Sequence, residues 1–192
     1  MKTYDLKGEI RADFGKKAAR SYRREGLIPC VVYGGNNENN VHFVVKNSDV
    51  RNLIYTPEVY LINLVLDGKP SMAILKEIQF HPVKDDILHI DFLHVFPNVP
   101  VEIELPVRLE GLAAGVKSGG KLSLDMRKLK VRALAEKLPQ ELVINVENLE
   151  LGKSIQVGEL SFEGLELLNA KNAVVCRVQL TRAARGAAAK GQ

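Results

Sequence analysis

The sequence predicts a mainly β protein with a few helices: an N-terminal β-barrel carrying helices, followed by an all-β C-terminal domain. Three observations predict it. Short apolar runs separated by Gly, Pro, Asn and Asp turn signals recur through residues 1–95, with only two stretches of helical spacing among them. Phe96-Pro97-Asn98-Val99-Pro100 then reads as a linker. Beyond it, Val101, Ile103, Leu105, Val107 and Leu109 alternate with Glu102, Glu104, Pro106 and Arg108, the pattern of an antiparallel strand with one wet face. A chain of 192 residues can supply two small cores.

Within residues 1–95 the elements follow in order. Tyr4, Leu6 and Ile10 share one parity, as on a half-buried strand. A basic helix is expected over Lys16 to Glu25, with Gly26 as its left-handed C-cap. Ile28 to Tyr33 is a buried strand ended by Gly34-Gly35 and the loop Asn36 to Asn40, and Val41 to Val45 is the next strand. Ser48 is placed to N-cap a short helix over Asp49 to Ile54. Val59 to Leu66 and Met72 to Ile78 form a hairpin through Asp67-Gly68, and Ile87 to Phe92 completes the set. Such strands suit a closed or half-closed barrel with helices at its openings.

In the second domain, residues 96–180, the loop Gly111 to Gly120 precedes strands near Leu129 to Leu134, Leu142 to Val146 and Ala173 to Leu180. Residues 181–192 are small and basic, the composition of a disordered tail. Cys30 and Cys176 lie in separate apolar runs and read as buried free thiols, as in a reducing compartment. The N-terminus lacks a signal-peptide core, and no apolar run approaches the roughly 20 residues of a membrane span. A cytoplasmic chain without membrane contact is expected.

The net charge of +4 is weak evidence, but its distribution is informative. Residues 1–24 hold eight basic and three acidic side chains, whereas residues 96–176 hold ten and eleven. Projected at about 100° per residue, Lys16, Arg20 and Arg23 fall within about 60° of one another, with Lys17 and Arg24 beside them. Ala18, Ala19 and Tyr22 point the other way, toward a barrel wall. Arg11 lies just upstream, and Asp13 is the one acid between Arg11 and Arg24. Solvated surfaces usually interleave signs, so an unbroken basic face points to RNA or phosphate.

Enzyme readings find less support. Neither Gly34-Gly35 nor Lys117 to Lys121 has the spacing of a nucleotide-binding loop, and the latter is expected to be a flexible loop. His81, His89, His94 and Asp91 match no compact zinc pattern. On a strand, His89 and Asp91 share a face while Ile90 and Phe92 enter the core. That pair can be a surface ion pair, a catalytic fragment or a nucleic-acid contact. Hydrolysis also needs an activated nucleophile with oxyanion donors, and no Ser or Cys motif supplies one. No enzyme activity, cofactor or metal is expected.

The run Arg11-x3-Gly15-Lys16-x3-Arg20-x2-Arg23-x5-Pro29-x3-Tyr33-Gly34, followed by Gln79-Phe80-His81-Pro82-Val83-Lys84 and His89-Ile90-Asp91-Phe92, resembles a known family. It is that of the bacterial large-subunit ribosomal proteins, twenty-fifth of that subunit, which bind 5S ribosomal RNA. Gly119-Gly120-Lys121-Leu122 and Leu151-Gly152-Lys153-Ser154-Ile155 resemble its long form, also called general stress protein CTC. The resemblance implies a barrel seated on an irregular internal loop of 5S RNA. It implies RNA contacts at Arg11, Lys16, Arg20, Arg23, Tyr33, His89 and Asp91, with Lys76 and His81 as further candidates. It also implies incorporation into the large ribosomal subunit beside other ribosomal components, with a monomeric free chain. Some members carry a further arginine where this chain has Ser21. A rival reading is a stress-induced protein that binds ribosomes only under some conditions.

Overall fold

A computed structural model describes residues 2–34, 40–56 and 58–181. The chain divides into two compact units, residues 1–101 with 134–136, and residues 102–133 with 137–192.

The first unit is built from β1 (Lys2–Ile10), α1 (Lys16–Arg24), β2 (Leu27–Tyr33), β3 (Val41–Lys46), α2 (Asn47–Ile54), β4 (Tyr60–Leu66), β5 (Lys69–Phe80) and β6 (Ile87–His94). Its strands close into a barrel in the order β1-β3-β2-β6-β5-β4. Closure depends on β1 having two partners. Lys2 to Gly8 pair in parallel with β4, and Glu9 and Ile10 pair antiparallel with β3. Gly8 sits where the partner changes: a Cβ there would lie 2.7 Å from Phe43 Cδ2 and 2.9 Å from Leu66 Cδ2. Only a residue without a side chain allows that approach.

Alternation explains the barrel core. Leu6, Cys30, Val32, Phe43, Val45, Ile62, Leu64, Ile90 and Phe92 all point inward and are buried. The Phe43 and Phe92 rings pack at 5.7 Å. Helix α2 adds Val50 and Leu53 to that core, whereas α1 buries none of its residues and half-buries Ala18, Ala19 and Tyr22. Asp67 and Gly68, with φ of 46° and 79°, form the expected hairpin turn, which requires positive φ at both central positions. Gly26, with φ 77°, terminates α1.

Two expectations for this unit need correction. Ser48 does not cap α2. The helix begins directly after β3, with extended Lys46 as its N-cap, and Ser48 Oγ donates to Asp49 Oδ1 at 2.7 Å. The Asn47 N–H finds its acceptor in the Gly26 carbonyl at 3.1 Å, so this donor of the first turn is met by backbone. Ile10 shares the parity of Leu6 but is 51% exposed, because beyond Gly8 only β3 remains as its neighbour. The loop Asn36 to Asn40 lies outside the described residues except for Asn40.

The second unit contains most of β7 (Val101–Glu110), then α3 (Ala114–Lys117), β8 (Lys121–Leu124), β9 (Lys128–Ala133), β10 (Leu142–Asn145), β11 (Ser154–Gln156), β12 (Glu166–Leu167) and β13 (Val174–Gln179). They form two sheets, β10-β7-β9-β12 and β11-β13-β8. The alternation on β7 holds, with Val101, Ile103, Leu105 and Val107 buried, but β7 pairs with β10 in parallel rather than antiparallel. Periodicity fixes which face is wet and carries no information about strand direction.

The loop from Gly111 to Gly120 is not a flexible link. It contains the single turn α3, and the Gly115 N–H donates to the Leu149 carbonyl at 2.8 Å. A Cβ on Gly115 would fall 2.6 Å from the backbone of Glu150 and Leu151, so its glycines serve close packing. Thr181, placed in the tail by composition, donates from Oγ1 to the Gly119 carbonyl at 2.7 Å, and residues 182–192 lie outside the described residues. Cys30 and Cys176 are free and buried, and burial pushes both thiols up from their ordinary pKa.

Candidate nucleic-acid interface

The inward anchoring of Ile90 and Phe92 turns His89 and Asp91 outward on β6. There His89 Nδ1 and Asp91 Oδ1 are 2.7 Å apart, both side chains being roughly a fifth exposed. An ionised carboxylate only accepts hydrogen bonds, so Nδ1 is the donor. This leaves Asp91 Oδ2 as an acceptor and His89 Nε2 as a second polar atom. Register extends the row sideways. Asp91 lies opposite Val31 of β2 and Glu77 of β5, and Val31 lies opposite His42 of β3. Gln79 lies opposite His89.

Tyr33 is two residues beyond Val31 and half-buried. Burial, with Asp91 and Glu77 nearby, raises its phenol pKa, so it remains a hydroxyl donor. Lys76 occupies the irregularity in β5 between Leu75 and Glu77 and is exposed. His81 sits at the turn after β5 rather than in the row beside Asp91. Its Nδ1 accepts from the N–H groups of Val83 and Lys84, each at 3.2 Å, and its backbone N–H donates to the Asp86 carbonyl at 2.8 Å. Much of the His81 side chain's hydrogen bonding is therefore spent on shaping that turn.

Helix α1 contributes the cations. Lys16, Lys17, Arg20 and Arg24 are exposed and form no ion pair with any described residue. Three arginines of the second unit differ: Arg108 pairs with Glu141, Arg132 with Glu102 and Glu166, and Arg177 with Asp125. Arg23 also makes a contact within the unit. Its Nε and Nη2 donate to the Leu88 carbonyl at 2.9 and 2.8 Å, clamping α1 to β6 one residue before His89. Ser21 donates to Glu25 Oε1 at 3.0 Å, a local contact one helical turn along α1.

Two residues at this face, Phe14 and His42, escaped the reading of the sequence. Arg11, whose N–H donates to the His42 carbonyl at 3.1 Å, holds its guanidinium over the Phe14 ring, 5.5 Å from the centroid. The His42 ring meets Phe14 edge-on at 5.2 Å. Arg11 Nε and His42 Nδ1 are covered, and neither has a hydrogen-bond partner among the described residues. Burial, then the charges of Arg11 and His89, lower the pKa of His42. The usable signals were an aromatic inside a basic segment and a polar residue next to inward Phe43.

Among the described residues no group of three or more His, Cys, Asp or Glu side chains is arranged to hold a metal. Cys30, the cysteine in register with Ile90, is buried in the core and offers no nucleophile to the His89–Asp91 pair. No helix among the described residues is long and apolar enough to cross a membrane.

Comparison with known proteins agrees with this layout. Residues 6–92 match the model of the ribosomal L25p family, and residues 100–182 match that of the C-terminal domain of ribosomal protein TL5. The chain is 62% identical to large ribosomal subunit protein bL25 of Porphyromonas gingivalis over the full length of both. It is 62% identical to the bL25 of Azobacteroides pseudotrichonymphae, covering 96% of this chain and 97% of that one. Against the Bacteroides fragilis protein the figure is 58% over 98% of each. The chain therefore belongs to the ribosomal L25p family, in the long form that carries a TL5-type C-terminal domain.

Proposed function

We propose that this chain is a structural component of the large ribosomal subunit that binds 5S ribosomal RNA through residues 1–95. The observation that carries this reading is the join between two sets of side chains. Unpaired cations on α1 suit phosphates, and the His89–Asp91 pair on β6 suits base edges. Phosphate contacts position a protein on RNA without specifying a site. A regular A-form major groove is too deep and narrow to read, so a site-specific protein needs a distorted stretch where base edges are reachable. Asp91 is repelled by a polyanion unless it meets base amino groups, so Asp91 favours such a stretch over a plain duplex. Tyr33 borders the same row. Lys76 and His81 stand at its margins as secondary contacts.

On this reading, binding is the whole biochemistry. The family is one of ribosomal proteins and not of enzymes. The chain acts in the cytoplasm, on the ribosome, with neighbouring ribosomal RNA and proteins as its other partners, no membrane and a monomeric free state. Gel-shift titration tests the assignment. Residues 1–95 should bind 5S RNA and residues 96–192 should not, and equal binding by the second fragment would sink it. In the full chain Asp91→Ala should reduce the preference for 5S RNA over a plain duplex by about tenfold, the scale of one lost base-edge contact. An unchanged preference refutes the role given to Asp91.

A further inference from the structure

We propose that Phe14 is a nucleobase-stacking ledge at the edge of the RNA face, with Arg11 and His42 as the residues that position it. The inference rests on the RNA-binding reading above and adds a contact outside the basic helix face and the β6 row. Phe14 lies in the link between β1 and α1, and 60% of its surface stays exposed although two side chains pack on its ring. A single exposed aromatic is unremarkable by itself. The manner of its support is informative. Arg11 is stacked on the ring rather than paired with a carboxylate, and His42 braces the ring edge-on. Both supports keep a covered nitrogen without a partner among the described residues, Arg11 Nε and His42 Nδ1, which is an unfavourable arrangement.

A nucleotide would cover the exposed ring and satisfy the Arg11 nitrogen together. Its base covers the ring, since every base has a flat π face. Its phosphate draws the Arg11 guanidinium into a charge-assisted hydrogen bond that a small side-chain rotation opens to Nε. The α1 cations begin at Lys16, two residues beyond the ring, so RNA held on that helix passes close to Phe14. An apolar protein surface would cover Phe14 but would leave Arg11 Nε unsatisfied, which is why RNA is the better occupant.

The chain contains no tryptophan, so Phe14→Trp introduces a single reporter on an exposed position. In the full chain, adding 5S RNA should quench that tryptophan, with affinity close to the parent. Phe14→Ala should weaken binding about tenfold without changing the salt dependence, because stacking releases no counterions. Phe14→Leu, apolar but without a flat ring, should resemble the alanine variant. Undiminished binding by Phe14→Ala, or bound RNA that leaves the introduced tryptophan unquenched, overturns the proposal. Should the parent chain fail to bind 5S RNA, the RNA assignment falls and the ledge is judged separately with single-stranded oligoadenylate. Quenching by that probe supports the ledge, and its absence overturns it.

Discussion

Replacing Arg20 and Arg23 separately should split two effects that their shared helix face makes look alike. Arg23 donates twice to the Leu88 carbonyl. Hydrogen bonds from a charged donor contribute about 1.5–3 kcal/mol when well shielded. Arg23 is exposed, so water replaces much of what is lost, and about 1 kcal/mol is the reasonable figure for Arg23→Ala. For a unit of this size that corresponds to a fall in Tm of roughly 4–8 °C. Arg20 touches nothing comparable, so Arg20→Ala should stay within about 0.5 kcal/mol of the parent. In RNA binding the order reverses. Arg20→Ala should flatten the slope of log K against log salt by about 0.7–0.9, one phosphate contact. Arg23→Ala should change it by less than half of that. All five tyrosines lie within residues 4–60, so tyrosine fluorescence reports the melting of the barrel alone. An Arg23→Ala protein that melts like the parent while losing a full phosphate contact would refute the clamp.

Two further predictions concern the barrel. Gly8→Ala forces a methyl against Phe43 and Leu66 and should destabilise the first unit by about 1–3 kcal/mol, read as a lower urea midpoint at unchanged m. A midpoint equal to the parent's would show that the strand crossing tolerates a side chain. His42 has its pKa depressed by burial, Arg11 and His89, so the unfolded chain takes up its proton first as pH falls. Its contribution to stability is thus complete above the ordinary histidine pKa of about 6.5 and is lost as pH falls through the lower folded value. Arg11→Gln should move the His42 titration, followed by NMR, upward toward about 6.5. A parent His42 that already titrates above that value contradicts the packing described.

Much of this fold is legible because alternation and turn chemistry report on burial directly. Asp67-Gly68 announced a turn needing two positive φ values, and Ile90 and Phe92 announced which way His89 and Asp91 would face. What stayed hidden depends on partners distant in the chain. Gly8 reads as a weak point in a strand until Phe43 and Leu66 converge on it. The short strands β8, β11 and β12 carry too few residues to show a period, and they exist through pairing with β13 and β9. At the candidate site the basic face of α1 was visible by projection. A projection cannot show that one of its arginines reaches a carbonyl 65 residues away, or that His42 meets Phe14.

That arginine bears on how a small protein can choose one RNA site. Flexible cations on α1 would hold any RNA, at any register, with little preference. The groups proposed to discriminate are on β6, where Ile90 and Phe92 lock the backbone into the core and His89 holds Asp91 in one orientation. Bonding one carboxylate oxygen to His89 leaves the other open as an acceptor, which on the proposed reading makes this anion a selective contact for RNA. Attraction and discrimination work together only if their separation is fixed. The Arg23 clamp on Leu88 supplies that spacing, because it ties the helix to the residue that immediately precedes His89. In the proposed RNA complex, that spacing would present RNA held by the helix cations to the β6 row in one register.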